Sequence, residues 1–251
     1  MGDDASVEVN ARRGRIPASL TGINRRRAPG GLESQAGRPC LFPSSLPSPG
    51  CPVTDQISYT IGERLYLNIT DRCTLECRFC PKTQGRPEVK GYDLTLSHRP
   101  TVEEIIASIG DPARYAEVVF CGYGEPTLRL NVLLEVARWI KAHGGRVRVN
   151  TDGLANLVHK DDTLPLLGEC VDALSVSLNA QNAEVYDEHC QPALPGSYER
   201  MLEFLRAAPR FIPDVTATAI RGLPGVDIDA CERLAESLGV KFRARELDKV
   251  G

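Results

Sequence analysis

The 251-residue chain has no run of 18 apolar residues, so no segment reads as a membrane-spanning helix. It has no clustered Lys/Arg face: 30 basic against 33 acidic residues give a formal charge of −3, and without a basic patch nucleic-acid binding is not expected. Arg25, Arg26 and Arg27 are followed by Ala-Pro-Gly-Gly-Leu-Glu. No apolar h-region is present there, which removes a twin-arginine signal reading. The nine cysteines are odd in number, and three fall in a tight triplet that disulfide bridges would waste. A secreted disulfide framework is therefore excluded, and a reducing, cytoplasmic compartment is expected.

The charge is unevenly split. Residues 1–57 hold seven Arg and five acidic residues, leaving 23 basic against 28 acidic in the remainder. That first segment is rich in Pro, Gly, Ser and Arg and shows no hydrophobic period. Its apolar surface is too small to offset its ordering entropy. Residues 1–57 are therefore expected to be a disordered tail, or sequence upstream of the true start, and residues 58–251 the folded domain. Cys40 and Cys51 lie in the tail without further ligands near them.

What the chain does have is Cys73, Cys77 and Cys80, in the run Cys-Thr-Leu-Glu-Cys-Arg-Phe-Cys. They directly follow a strand-like segment, Leu65–Thr70, in which Leu65, Leu67 and Ile69 alternate with Tyr66, Asn68 and Thr70. Three thiolates in one loop can hold three irons of a [4Fe–4S] cluster, because such clusters are ligated by cysteine sulfur. No fourth cysteine is offered, so one iron stays open for a small molecule. Zinc is the competing reading, but a structural zinc closes its shell with four protein ligands. The nearest histidine, His98, lies 18 residues beyond Cys80.

From residue 64 strand and helix signals alternate. Strands are expected at Leu65–Thr70, Val118–Cys121, Arg146–Asn150, Ala173–Leu178, Val215–Ile220 and Val240–Arg245. Helices are expected from the capping box Thr101-x-x-Glu104 to Ile109, and over Leu130–His143, Ala183–His189, Ser197–Ala207 and Ile228–Leu238. A broken helical region around Pro165 precedes the fourth strand. Such alternation implies parallel βαβ units and an α/β fold, without separating a barrel from a doubly wound sheet. In either, ligands bind at the carboxyl ends of the strands. Polar and Gly-rich groups gather there: the cysteines, Gly122-Tyr-Gly-Glu-Pro126, Asn150-Thr-Asp-Gly153, Ser175, Ser177 and Asn179, and Arg221-Gly222.

The Cys-x3-Cys-x2-Cys spacing, with Phe79 before the last cysteine, resembles the radical S-adenosylmethionine (radical SAM) superfamily. So does Gly122-Tyr123-Gly124-Glu125-Pro126 after the apolar run Val118–Cys121, although Tyr123 stands where that family usually has glycine. The likeness covers about residues 60 to 250. Segments Ile61–Cys80 and Gly222–Arg245 are most similar to the small radical SAM proteins associated with TatD-type hydrolases.

The resemblance implies a partial (β/α)6 TIM-like barrel, a [4Fe–4S] cluster on the three cysteines, and S-adenosylmethionine on the open iron. It implies reductive cleavage to a 5′-deoxyadenosyl radical, with an external electron donor and a TatD-type hydrolase or other protein as partner. Phe79 and Ile220 would flank the adenine. Gly122, Tyr123, Gly124, Glu125 and Asn150 would border the cofactor, the two glycines letting backbone approach its ammonium. Ser177 and Asn179 would reach the ribose or carboxylate, or would cap the next helix. Arg243, Arg245 and Glu246 would meet substrate or form a solvated edge. Cys121 and Cys231 read as small buried apolar groups. The polar stretch Thr83–Arg99 reads as a functional loop over the open side of the barrel, ordered on binding. Alternative activities are that of a 7-carboxy-7-deazaguanine synthase-like enzyme, or of a non-catalytic iron–sulfur or zinc module that binds a partner.

Overall fold

The computed structural model describes residues 55–247. Cys40, Cys51 and the tail lie outside the described residues, except for the tail's last three. Those three pack onto the domain. Asp55 Oδ2 accepts from Ser97 N at 2.9 Å, and Ile57 O accepts from Asn68 N at 2.8 Å.

Strands β1 (Ser58–Ile61), β2 (Arg64–Leu67), β5 (Glu117–Phe120), β6 (Val147–Thr151), β7 (Ala173–Ser177), β8 (Asp214–Arg221) and β9 (Lys241–Glu246) form one seven-stranded sheet, in the order β1-β2-β5-β6-β7-β8-β9. From β2 to β9 every pair is parallel. The spatial order follows the chain without a reversal, as in a barrel and unlike a doubly wound sheet. The two end strands do not pair, so the barrel is partial. An antiparallel hairpin, β1–β2, closes around Gly62 and Glu63, with Gly62 at φ 59°.

Helices follow each parallel strand from β2 to β8: α1 (Val102–Ile109), α2 (Leu130–Ala142), the short α3 (Ala155–His159) and α4 (Leu164–Gly168), α5 (Ala183–Cys190), α6 (Ser197–Ala207) and α7 (Ile228–Ser237). Thr101 caps α1 with the expected capping box. The strand period of two sorts the faces. Leu65, Leu67, Val118, Phe120, Val147, Val149, Leu174 and Val176 pack with the helices in the main core. Tyr66, Val119, Arg148, Asn150, Ser175 and Thr216 turn inward and line a cavity. A small second core of Tyr59, Tyr66, Val89, Leu94 and Val119 sits against the β1 side. Val89 and Leu94 come from Thr83–Arg99, the stretch expected to be a functional loop ordered on binding. It contains a hairpin, β3 (Glu88–Val89) and β4 (Tyr92–Asp93), because these two apolar side chains bury against the tyrosines.

Candidate active site

The cysteine loop leaves β2 at the carboxyl edge of the sheet and is held by its backbone. Glu76 N donates to Cys190 O at 3.1 Å, Arg78 N to His189 O at 2.9 Å, and Ala193 N to Thr74 O at 3.0 Å. These bonds tie the loop to the end of α5. The Thr74 hydroxyl also donates to Asp152 Oδ2 at 2.5 Å, which joins the loop to the exit of β6. Cys73 is exposed, Cys77 and Cys80 half-buried, and all three are free thiols.

The thiols lie close enough to oppose one another's ionisation. Cys73 is raised first by its crowded surroundings and then by the Asp152 and Glu125 carboxylates and Cys80. Cys77 is raised first by a hydrogen bond with Cys190 and then by burial. Among the described residues, no three His, Cys, Asp or Glu side chains converge on a single-ion site. One tetrahedral zinc would need thiolates about 3.8 Å apart, from sulfur at about 2.3 Å. Ligands to a cubane stand farther apart, at its corners, and the donor set of three thiols suits iron–sulfur ligation.

The second motif is built onto the first. Glu125 N donates to Arg72 O at 2.7 Å, Cys121 N to Leu67 O at 3.2 Å, and Tyr123 N to Asn68 Oδ1 at 3.0 Å. A Cβ on Gly122 would fall 2.3 Å from Asn68 Oδ1, and one on Gly124 would fall 2.3 Å from Arg72 O. These glycines are required by the contact between the two loops, whatever they offer a cofactor.

The Glu125 side chain is buried and held by protein donors. Its Oε1 accepts from Thr127 N at 3.0 Å, Thr127 Oγ1 at 2.6 Å and Thr151 Oγ1 at 2.9 Å, while Oε2 accepts from Asp152 N at 2.8 Å. Burial and the Asp152 charge push it up to about 8 against those donors. Glu125 is therefore a positioning residue that joins the exits of β5 and β6.

The remaining expected residues divide. Asn150 lies on β6, and its Oδ1 is buried without a partner. Asn179, with φ 59°, donates from Nδ2 to Cys190 Sγ at 3.4 Å, and its Oδ1 is also buried without a partner. Neither Ser177 nor Asn179 caps α5, because Asn182 does. Ser177 is half-buried at the end of β7 opposite Thr218. Ile220 is buried and pairs with Arg245 in register. Phe79 packs half-buried on the main core, and Tyr123 on the second core. Cys231 is buried on α7 as expected, but Cys121 is only partly covered.

Two residues central to this arrangement escaped the sequence reading. Asn68, fully buried, donates to Gln56 O at 3.2 Å and Leu94 O at 2.9 Å while accepting from Tyr123 N. An Asn between Leu67 and Ile69 in the expected strand Leu65–Thr70, just past the end of β2, was the available signal. Cys190 meets Cys77 across the loop, and nothing local in the sequence marks it.

The sequence pattern of the Radical SAM superfamily matches residues 67–238. A probable dual-specificity RNA methyltransferase RlmN of Synechococcus sp. (strain CC9311) is 27% identical over 170 residues, 64% of this chain and 46% of that protein. A GTP 3′,8-cyclase of Limosilactobacillus fermentum is 36% identical over 138 residues, 52% of this chain and 39% of that protein. The chain thus spans less than half the length of these curated relatives. The fold is shared with Streptococcus suis SuiB bound to S-adenosylmethionine, with TM-score 0.57 and 12% identity over 75% of this chain and 41% of that one. It is also shared with TYW1 carrying a lysine–pyruvate adduct, with TM-score 0.53 and 17% identity over 75% and 66%. The cysteine loop, the glycine loop built on it and the sequential parallel sheet agree with the sequence match, and the chain belongs to the radical SAM superfamily.

Proposed function

We propose that the chain is an enzyme that binds a [4Fe–4S] cluster through Cys73, Cys77 and Cys80 and cleaves S-adenosylmethionine reductively. The observation that carries this reading is the anchoring of the cysteine loop and the Gly122–Pro126 loop to each other at the carboxyl edge of a parallel sheet. When bound, the cluster would supply the electron that breaks the sulfur–C5′ bond, yielding a 5′-deoxyadenosyl radical that abstracts a substrate hydrogen.

The chain's own part is to bind, orient and exclude water. The three thiols would be the iron ligands. The buried, unpartnered oxygens of Asn150 and Asn179 are acceptors with the reach to orient polar groups of the nucleoside or its amino acid moiety. Ile220 and Phe79 offer apolar surface for the adenine. Reductive cleavage consumes one electron per turnover, and an external electron donor would supply it. The likeness to TatD-associated proteins rests on segments 61–80 and 222–245, whereas the relatives above are named as an RNA methyltransferase and a cyclase.

Anaerobic reconstitution followed by iron and sulfide analysis tests the cofactor reading. About four of each per chain are expected, lost on replacing Cys73, Cys77 or Cys80 by Ala and kept in Cys231→Ala. Stoichiometric zinc without iron in the purified protein would overturn it.

A further inference from the structure

The inner face of the sheet carries more positive charge than its own carboxylates balance. Near the amino ends of the strands, Glu117 accepts from Arg64 Nε at 3.1 Å, Arg146 Nε at 3.3 Å and Arg148 Nη2 at 2.8 Å. Asp214 stands 3.7 Å from the guanidiniums of both Arg146 and Arg148, and 3.1 Å from Lys241 Nζ. Two carboxylates thus face four cations. Farther along β9 the same face presents Arg243 and Arg245. Glu246 alternates to the other face and pairs with Arg221 at 3.4 Å. Among the described residues neither Arg243 nor Arg245 has a carboxylate within ion-pair distance. Arg245 Nε is buried with no acceptor, and burial and the Arg243 guanidinium make the Arg245 charge more costly.

Of these groups, Arg64, Glu117, Arg148 and Arg243 border a cavity of about 180 Å³, whose wall continues through Asn150, Ser175 and Thr216. That is room for the end of a small molecule, a water in liquid occupying about 30 Å³. Arg245 lies near the carboxyl end of β9, in register with Ile220 on β8. A group bound by Arg245 would therefore lie toward the carboxyl edge of the sheet, the edge at which the cysteine loop leaves β2.

We propose that this face binds the anionic group, phosphate or carboxylate, of a small-molecule substrate, with Arg243 and Arg245 as its clamp. Arginine matches the planar geometry of both groups, often through paired hydrogen bonds. Asn150, Ser175 and Thr216 supply further polar groups for the remainder. This names a substrate class for the reaction site proposed above and rests on that reading.

The test is calorimetric titration of the full chain, free of iron and S-adenosylmethionine, with inorganic phosphate and separately with succinate, against chloride at equal ionic strength. Saturable binding at one site per chain is expected for at least one anion, at least tenfold weaker in both Arg243→Gln and Arg245→Gln. Binding of phosphate alone assigns a phosphorylated substrate, binding of succinate alone a carboxylate. Arg243 is exposed, so its replacement tests the site even if Arg245→Gln fails to fold. No saturable binding of either anion, or equal affinity in the parent and the folded variants, would overturn the proposal. Because no iron is present, that failure would leave the cofactor reading standing, and a failure to load iron would leave this site standing.

Discussion

Replacing Gly124 by Ala separates two reasons for a glycine in the second motif. If glycine serves only to let backbone approach a cofactor, the cofactor-free protein should not notice a methyl group. The geometry says otherwise. The new Cβ would fall 2.3 Å from Arg72 O, 2.7 Å from Thr70 O and 2.8 Å from Arg72 N, where ordinary contact begins at 3.4 Å. All three are backbone atoms, which cannot swing aside as a side chain would. The loops must separate by about 1 Å, stretching the 2.7 Å bond from Glu125 N to Arg72 O. Overpacking costs about 1–3 kcal/mol and a weakened hydrogen bond about 1 kcal/mol, together about 2–4 kcal/mol. For a domain of this size that corresponds to a Tm lower by about 5–15 °C.

The assay is thermal and urea unfolding of the cofactor-free protein, followed by iron loading. Gly239→Ala is the comparison: at φ 75° with nothing within 4 Å, it should lose only the left-handed strain of about 1–2 kcal/mol and load iron normally. A Gly124→Ala protein melting within about 1 °C of the parent would refute the loop-on-loop argument.

A chain beginning at Pro52 is expected to fold and load iron like the full chain. One beginning at Ser58 should melt lower, because it loses the Asp55–Ser97 and Ile57–Asn68 bonds; equal melting of the two would contradict this. Arg148, hydrogen-bonded to Glu117, holds that carboxyl down at about 2, below its ordinary 4.5. The resulting stability is present above pH 4.5 and lost as pH falls toward 2. It amounts to about 1–2 kcal/mol after allowance for the half-exposed arginines, and acid unfolding of Glu117→Gln should lack this step. Glu125 shows the opposite sign. Its folded form holds a proton up to about pH 8, so its contribution is full below pH 4.5 and fades as pH rises through 8. Urea midpoints of the parent should therefore fall between pH 5 and 8, and those of Glu125→Gln should fall less; parallel profiles would count against the assignment.

The helices and parallel strands were legible because each carries a local signal: the Thr101–Glu104 capping box, the alternation of Val147 and Val149, the stripe on α7. Strand β1 was not, although Gly62-Glu63 is a hairpin turn of the kind glycine permits. The Pro- and Ser-rich sequence before it masked the short run Ser58–Ile61. The cysteine triplet and the Gly122–Pro126 motif pointed to the site directly, being contiguous in sequence. The bonds that assemble it were invisible, because Asn68 meets Tyr123, Thr74 meets Asp152, and Cys77 meets Cys190 only after the sheet forms. Gly122 and Gly124 were recognised for their approach to a cofactor, and the packing adds a second reason that the sequence did not show. Arg243 and Arg245 share a face by the strand period, but looked equally like a solvated edge, since only the fold shows that this face turns inward.

The central claim is tested most directly by incubating the anaerobically reconstituted full chain with S-adenosylmethionine and a strong reductant and quantifying 5′-deoxyadenosine. The account predicts its formation, dependent on reductant and abolished in Cys73→Ala, Cys77→Ala and Cys80→Ala. A fully iron-loaded protein that releases no 5′-deoxyadenosine under these conditions would contradict it.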